Sequence, residues 1–129
     1  MNWEKTEINR QEEEISFGTW KITSRINDRK TFKVKSDKLK AYFDVSKVAF
    51  PLSVDSWKEG DTFSPFGMKG RKKKVSDFFI DEKIPRHEKE KIPIIKDANE
   101  TILWVAGYRQ SEKFIVNDLT EEVLILQLI

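Results

Sequence analysis

The sequence has no cysteine among its 129 residues, and this absence excludes several kinds of site. Without a thiol there can be no disulfide, no cysteine-ligated zinc and no cysteine nucleophile, which is consistent with a reducing cytosol. Histidine occurs once, and His87 lies in a charged segment with no serine or cysteine partner at a catalytic spacing. A surface histidine is therefore the simpler interpretation.

Long apolar segments are also missing. Residues 1–7 contain no apolar core of the kind that a secretory signal needs. No apolar run approaches the roughly 20 residues of a membrane-spanning helix. We expect a soluble, cytoplasmic protein that makes no membrane contact.

Two further signs of catalysis are absent. The phosphate-binding pattern G-x-x-x-x-G-K-[ST] does not occur, because residues 67–70 (Gly-Met-Lys-Gly) have neither its spacing nor its helix pattern. Asp61, Asp77 and Asp81 could form an acid/base or metal cluster, but their neighbours favour a turn, a helix start and a helix end. A free-standing enzyme is the least favoured class.

Charge is abundant but nearly balanced. The chain has 24 Lys and Arg against 22 Asp and Glu, so its distribution of charge matters more than its net charge of +2. Residues 1–14 carry five glutamates against two cations and show weak periodicity, which predicts a poorly ordered lead-in or linker. Residues 15–129 are expected to form one domain, for which nine Phe and three of the four Trp supply bulky core material.

Short β-prone runs separated by turn residues dominate this domain. The segment 101–106 is almost continuously apolar and is interpreted as a buried central strand. Residues 27–29 predict a hairpin turn, and no βαβ rhythm occurs, so the fold class is α+β or mainly β. The predicted strands are residues 15–17, 20–23, 31–35, 41–44, 51–57, 92–96, 101–106, 114–116 and 123–129.

The most unusual stretch is 57–85, which joins an aromatic loop, five cations in six positions (69–74) and a short amphipathic helix. Phe63, Phe66 and Met68 are expected to anchor the loop, and Ser76 to cap the helix. Such charge density favours a phosphate partner, and a solvated lysine loop is the simpler alternative. The residues alone leave both interpretations open.

Three motifs resemble those of a known family. Residues 60–68, Gly-Asp-Thr-Phe-Ser-Pro-Phe-Gly-Met, are similar to G-D-x-F-x-P-x-G-M. Residues 75–85 are similar to L-S-D-F-F-I-D-x-K-[IV]-P, with Val75 in place of the commoner leucine. Residues 104–109 are similar to W-V-x-G-x-R and are followed by Ser-Glu-Lys-Phe at 111–114. Over about residues 44–129 the chain resembles the C-terminal domain of bacterial tRNA(Ile)-lysidine synthetase.

This resemblance implies a strand-rich, layered α+β domain with an unusual β-sandwich and short helices, akin to a module of phenylalanyl-tRNA synthetase. In the family, a separate N-terminal domain with an S-G-G-x-D-S loop uses ATP and lysine to convert an anticodon cytidine to lysidine. That motif is absent from this sequence. The resemblance therefore implies a non-catalytic domain without a cofactor of its own, ATP and lysine being substrates of the N-terminal domain.

The implied partners are tRNA(Ile), held around its acceptor stem, and the enzyme's own N-terminal domain. Duplex RNA is recognised mainly through phosphates, 2′-hydroxyls and shape, so the candidate contacts are cations. They are Lys69, Arg71, Lys72, Lys73, Lys74, Lys83, Arg86 and Arg109. Arg109 has an alternative role as a structural ion-pair partner, and Arg86 and His87 stand where many relatives have an apolar residue.

A protein-interaction or dimerisation module is the alternative function. The run 123–129 has one polar residue in seven and could form a sheet edge that docks on the catalytic domain or on a second copy. Salt distinguishes the two functions, because phosphate binding weakens steeply with ionic strength and apolar docking does not.

Overall fold

The computed structural model describes residues 2–31, 33 and 37–129. Within these residues the regular structure is mostly strand. The strands are β1 (Thr6–Ile8), β2 (Glu13–Phe17), β3 (Trp20–Asp28), β4 (Lys40–Asp44), β5 (Leu52–Asp55), β6 (Thr62–Phe63), β7 (Lys73–Lys74), β8 (Ile94–Lys96), β9 (Ile102–Val105), β10 (Arg109–Gln110) and β11 (Glu122–Leu128). Helix α1 spans Val75–Asp81, and 3-10 helices span Arg29–Thr31, Val45–Lys47 and Arg86–Lys91.

The strands form two larger antiparallel sheets and one small hairpin. The first sheet has the order β1-β5-β8-β9-β10, and the second has the order β2-β3-β11-β4. Strands β6 and β7 pair only with each other. Most neighbours in these sheets are distant in sequence, so the topology depends on long-range pairing.

The main core lies between the two sheets. Ile8, Leu52 and Leu103 from the first sheet meet Phe17 and Phe43 from the second, and all five are fully buried. Alternate residues of β3 and β5 face this core, as the period-two patterns predicted. The β-sandwich implied by the family resemblance is therefore confirmed.

A second core covers the other face of the first sheet. Val75, Phe78 and Phe79 project from one side of α1 and pack on Ile94 and Ile102. The i, i+3, i+4 spacing of the three helix residues places them on one face, as predicted. The result is three layers, second sheet, first sheet and helix with hairpin, and the layered α+β class is confirmed.

The apolar run in β9 reaches both cores, and a bulge within it turns two adjacent residues to the same face. Ile95 pairs with Trp104 and Lys96 pairs with Ile102, which leaves Leu103 as an extra residue between them. Leu103 and Trp104 consequently both face the main core, while Ile102 faces the second. The strand is buried on both faces as predicted, although only β10 separates it from the edge of the sheet.

The first fourteen residues differ from the predicted poorly ordered lead-in. Strand β1 pairs with β5, and Ile8 is fully buried in the main core. The Trp3 ring packs edge-on against Phe17, with ring centroids 5.3 Å apart. Two apolar residues, Trp3 and Ile8, are too few to produce a periodic pattern. The residues that bury them come from distant segments, which local sequence does not reveal. Placing a domain boundary at residue 15 stays a prediction.

Two predicted connections also differ. The hairpin turn predicted at 27–29 lies largely within β3, which continues to Asp28 because that residue still pairs with Glu122 of β11. The strand predicted at 31–35 falls mainly outside the described residues, and Thr31 ends a 3-10 helix.

The strand predicted at 114–116 is wrong. These residues form no strand, and Phe114 instead packs edge-on against Phe43 in the main core. Their apolar pattern reflects burial of individual side chains rather than sheet pairing.

Strand β11 does not supply the exposed edge that a docking function required. It lies inside the second sheet, paired with β3 on one side and β4 on the other. Leu124 and Leu126 face the main core, while Val123 and Ile125 are buried on the opposite face beside Val116. The run is apolar because both of its faces are covered.

The N-terminal cap of helix α1 lies two residues earlier than predicted. Ser76 was expected to cap it, but the helix starts at Val75 after Lys74, whose side chain makes no capping hydrogen bond. The Val75 amide donates instead to the Asp61 carbonyl, 2.9 Å away. Backbone from the residue before β6 replaces the serine cap. Among the described residues, no helix is long and apolar enough to cross a membrane.

Asp44 joins the end of β4 to the loop after β10. Its carboxylate accepts hydrogen bonds from the Ser46 hydroxyl (2.7 Å), the Ser46 amide (3.0 Å) and the Thr120 hydroxyl (2.8 Å). Burial raises the pKa of Asp44, but these hydrogen bonds and nearby Lys47 outweigh burial and hold the pKa below its ordinary value. The ionised form is therefore the one that the fold stabilises.

We expect Asp44→Asn to lower the free energy of unfolding by about 1–3 kcal/mol at neutral pH, because buried donors lose their charged acceptor. Since the folded-state pKa lies below the unfolded value of about 3.9, the carboxylate's contribution is present above that value and is lost as pH falls through the folded pKa. Urea unfolding across pH should show the difference from wild type shrinking in acid. Asp118→Asn, at an exposed site, is the control.

Candidate nucleic-acid interface

The basic segment forms the loop of a β-hairpin. Strands β6 and β7 pair through Thr62 with Lys74 and Phe63 with Lys73, and residues 64–72 connect them. Phe63 anchors the base of this hairpin in the second core, where its ring meets Phe78 edge-on with centroids 5.3 Å apart. We call residues 62–74 the basic hairpin.

The basic hairpin is fixed to the first sheet by backbone hydrogen bonds. The Phe66 amide donates to the Gln110 carbonyl (2.9 Å), and the Glu112 amide donates to the Ser64 carbonyl (2.9 Å). The loop thus continues the first sheet beyond β10 at its base. Of the three anchors predicted from the sequence, Phe63 is buried, Met68 is half-buried and Phe66 is exposed.

Two successive turns shape the tip of the hairpin. The Met68 amide donates to the Pro65 carbonyl, and the Arg71 amide donates to the Met68 carbonyl, each at 3.2 Å. Gly67 takes a φ of 91°, which a glycine adopts without steric cost, and Lys69 takes a φ of 54°, which is unusual for a residue with a side chain. The tip is therefore a defined structure that holds Lys69 outward.

Four of the predicted cations on the hairpin are exposed and have no carboxylate partner. Within the described residues, no Asp or Glu oxygen forms an ion pair with Lys69, Arg71, Lys72 or Lys74. Their positive charge is therefore available to an external anion.

Lys73 differs from its neighbours on the hairpin. It forms an ion pair with Asp81 at the end of α1, and its side chain is only 22% exposed. Because its charge is already paired within the protein, Lys73 holds the hairpin to the helix. Asp61 has a similar structural role, since it forms an ion pair with Lys96 at 2.9 Å and accepts from the Lys58 amide.

Lys83 and Arg86 lie beyond α1, at the opposite end of the helix from the hairpin. Lys83 has a φ of 56° and ends the helix, and Arg86 begins the 3-10 helix Arg86–Lys91. Both are exposed, and neither forms an ion pair with a described residue. The end of α1 nevertheless lies beside the hairpin, because Asp81 pairs with Lys73 and Glu82 lines a cavity together with Phe66.

Arg109 supports the loop. Its guanidinium donates to the Phe66 carbonyl at 3.2 Å and lies 5.8 Å from the centre of the Phe78 ring. The structural alternative from the sequence was an ion pair. Within the described residues its partners are a carbonyl and an aromatic ring instead.

A small polar cavity, which we call the hydroxyl cavity, lies against the base of the hairpin. Its volume is about 140 Å³, and two lysines, Lys72 and Lys113, line its wall. Glu100 supplies one carboxylate, and residues with a hydroxyl group supply much of the remaining wall. These hydroxyl residues are Thr62, Ser64, Thr101 and Ser111. Ammonium and hydroxyl groups are the donors that commonly bind phosphate oxygens.

Sequence reasoning did not select Lys113. The residue is 39 positions from Lys74 and reaches the cavity because the Glu112 amide pairs with the Ser64 carbonyl. The Ser-Glu-Lys-Phe motif at 111–114 was visible, but nothing local in it indicates a cation beside the hairpin. Among the described residues, no group of three or more His, Asp or Glu side chains is placed to hold a metal ion.

Comparison with known proteins indicates one family. The model of the TilS substrate C-terminal domain matches residues 52–126. This chain belongs to that family. The resemblance inferred from the three sequence motifs is confirmed.

The relatives of this TilS C-terminal domain are longer proteins. A tRNA(Ile)-lysidine synthase of Parabacteroides distasonis is 42% identical over 119 residues, covering 92% of this chain and 25% of the relative. A tRNA(Ile)-lysidine synthase of Caldanaerobacter subterraneus subsp. tengcongensis is 49% identical over 86 residues, covering 67% of this chain and 18% of the relative. The chain therefore spans a quarter or less of these two relatives.

Solved structures agree on the fold. A crystal structure of a TilS C-terminal domain matches with a TM-score of 0.83 and 26% identity, covering 97% of this chain and 96% of that one. An N-terminal fragment of the phenylalanyl-tRNA synthetase β-subunit from Pyrococcus horikoshii matches with a TM-score of 0.57 and 20% identity, covering 69% and 27%. The second match shows a shared fold alone.

Proposed function

We propose that this TilS C-terminal domain binds tRNA(Ile) and holds the region of its acceptor stem on the basic hairpin. The observation that carries the proposal is the group of four exposed cations, Lys69, Arg71, Lys72 and Lys74, without carboxylate partners among the described residues. Lys113 and the hydroxyl cavity add further phosphate donors at the base of the same hairpin.

The shape of the hairpin suits duplex RNA better than a small molecule. Its cations project from a loop fixed to the first sheet, whereas the adjoining hydroxyl cavity, at about 140 Å³, is smaller than the roughly 300–1,000 Å³ of a typical small-molecule site. Double-stranded RNA is recognised through its phosphates and 2′-hydroxyls across a wide, shallow minor groove. A projecting cationic loop can contact the phosphates along such a groove. The predicted tRNA contacts also include Lys83, Arg86 and Arg109. Arg109 contributes by holding the conformation of the loop through its hydrogen bond to the Phe66 carbonyl.

In this proposal the chain is one domain of a longer protein, and the catalytic steps take place in the rest of that protein. Its N-terminal domain would use ATP and lysine to form lysidine on the anticodon cytidine, and the present domain would be non-catalytic and bind no cofactor. A tRNA-modifying enzyme of this kind acts in the cytoplasm. Dimerisation and docking on the N-terminal domain are the alternative functions, and the burial of β11 removes the edge that suggested them.

We expect wild-type domain to bind isoleucine tRNA with a strong salt dependence. If four cations each neutralise one phosphate, the logarithm of the association constant should fall with the logarithm of salt concentration with a slope of about −3. Fluorescence anisotropy of labelled tRNA between low and moderate salt measures it. The longer enzyme should be titrated in parallel, because one module can depend on its covalent neighbour for affinity.

Binding of both proteins with no salt dependence would contradict the phosphate mechanism. Absence of binding by the isolated domain, together with a full enzyme whose affinity does not change when the domain is deleted, would contradict tRNA binding by this domain.

A further inference from the structure

The second and larger cavity lies at the open end of the sandwich. Its volume is about 540 Å³, and its walls come from β4, β10, the tip of the basic hairpin and the segment after Phe114. Strands β4 and β10 are the edge strands of the two sheets at this end. We call this cavity the edge groove.

We propose that the edge groove receives an unpaired nucleotide of the RNA that the basic hairpin binds. This inference rests on the proposed function and adds a second kind of contact to it: base stacking beside the phosphate contacts of the hairpin.

One lining side chain, that of Gln110, links the two edge strands of the groove. The Gln110 amide nitrogen donates to the Tyr42 carbonyl at 3.1 Å, and the Tyr42 amide donates to the Gln110 side-chain oxygen at 3.4 Å. Gln110 thus substitutes for a strand residue between the two sheets. The groove thus lies over a side chain that links the two sheets, and Trp104 of the main core also lines it.

The walls offer aromatic surface that water can reach. Phe66 is 47% exposed, although it is a large apolar residue, and Tyr108 is half-buried. Both line the groove. A base stacked on an aromatic ring gains about 1–3 kcal/mol, and this interaction needs no particular base identity. An exposed phenylalanine on a loop of cations is well placed for that role.

The charges of the groove favour a phosphodiester. Lys38, Lys40 and Arg109 line it, against the two carboxylates of Asp37 and Glu82. Cations beside aromatic rings are the combination by which proteins bind unpaired nucleic acid. A groove of about 540 Å³ is in the range for one small ligand, and a single nucleotide is a ligand of that class.

The groove and the hairpin are continuous. Phe66 belongs both to the groove wall and to the loop that carries Lys69, and Arg109 bonds to the Phe66 carbonyl while lining the groove. An RNA strand that leaves a duplex held on the hairpin therefore meets the groove directly. The acceptor stem of a tRNA ends in such an unpaired strand.

Two RNA stem-loops with the same stem and loop sequence test the proposal. One has a blunt end, and the other has an unpaired 3′ extension of about four nucleotides. We expect the wild-type domain to bind the extended RNA about fivefold or more tightly than the blunt RNA. Phe66→Ala should bring the ratio of the two affinities to about one. Leu119→Ala, which removes another exposed apolar side chain outside the groove, should keep the wild-type ratio.

Equal affinities of the wild-type domain for the two RNAs would overturn the proposal while leaving duplex binding by the hairpin intact. A second measurement does not depend on the duplex. Titration with a free single-stranded tetranucleotide, followed by NMR, should produce saturable shifts confined to groove residues and abolished by Phe66→Ala. No shifts up to millimolar concentration, or shifts of the groove residues produced instead by the rest of the enzyme, would reject a nucleotide as the occupant.

Discussion

Replacing Arg71, Lys72, Lys74 and Lys113 together with alanine is expected to lower the affinity for isoleucine tRNA by at least about tenfold at roughly 0.1 M salt. Each cation that neutralises a phosphate releases a counterion, so removing one such cation should reduce the salt slope by about 0.7–0.9. Anisotropy titrations of wild type and variant at several salt concentrations measure both quantities. The decrease in affinity and the decrease in salt dependence should occur together.

The fold should tolerate this variant. All four side chains are exposed, and none forms an ion pair with a described residue, so the free energy of unfolding should change by no more than about 0.5 kcal/mol per site. Lys73→Ala provides a contrast on the same hairpin. It removes the ion pair with Asp81, so its effect on tRNA affinity should be smaller than that of Lys72→Ala.

A matched control separates local contact from net charge. The control variant removes the same number of positive charges from exposed positions that belong to neither the hairpin nor its cavities. In it, alanine replaces Lys5, Lys21, Arg25 and Lys30. We expect this variant to keep most of the affinity and nearly the wild-type salt slope. An equal decrease in the two variants would mean that tRNA responds to the overall charge of the domain, and the hairpin assignment would then be wrong.

The buried face of individual elements could be predicted from local pattern, but the order of the strands in the sheets could not. Alternation in β3 and β5 and the i, i+3, i+4 spacing in α1 determine which face of each element is buried. The order of strands depends on pairings such as β1 with β5 and β11 with β3, which join residues dozens of positions apart. The sandwich was available from the sequence only through the family resemblance.

The same limit applies to the candidate site. Charge density identified the hairpin, because a cluster of cations is visible in the sequence itself. It could not distinguish Lys73, whose partner Asp81 is on the following helix, from Lys72 and Lys74. It also could not find Lys113, which the pairing of residue 112 with residue 64 brings to the hairpin. Sorting neighbouring cations by role requires the tertiary contacts.

Gly18→Ala should be among the most destabilising single substitutions of a turn residue in this domain. Gly18 and Thr19 form the two-residue turn between β2 and β3, and Gly18 has a φ of 58°. An added Cβ would be strained in that conformation and would overlap the ring of Trp3. We expect a loss of about 2–4 kcal/mol of unfolding free energy, from backbone strain of about 1–2 kcal/mol and the displacement of Trp3 from Phe17.

Gly60→Ala isolates the backbone strain. Gly60 has a φ of 90°, and an added Cβ there would meet no atom within 4 Å, so only about 1–2 kcal/mol should be lost. Urea unfolding of the single variants and of the Trp3→Ala/Gly18→Ala double variant completes a double-mutant cycle. If Trp3 covers Gly18 as described, Gly18→Ala in the Trp3→Ala background should cost no more than Gly60→Ala. Fully additive costs would show that Trp3 does not pack on this turn, and the first residues would then be the poorly ordered lead-in that their composition suggests.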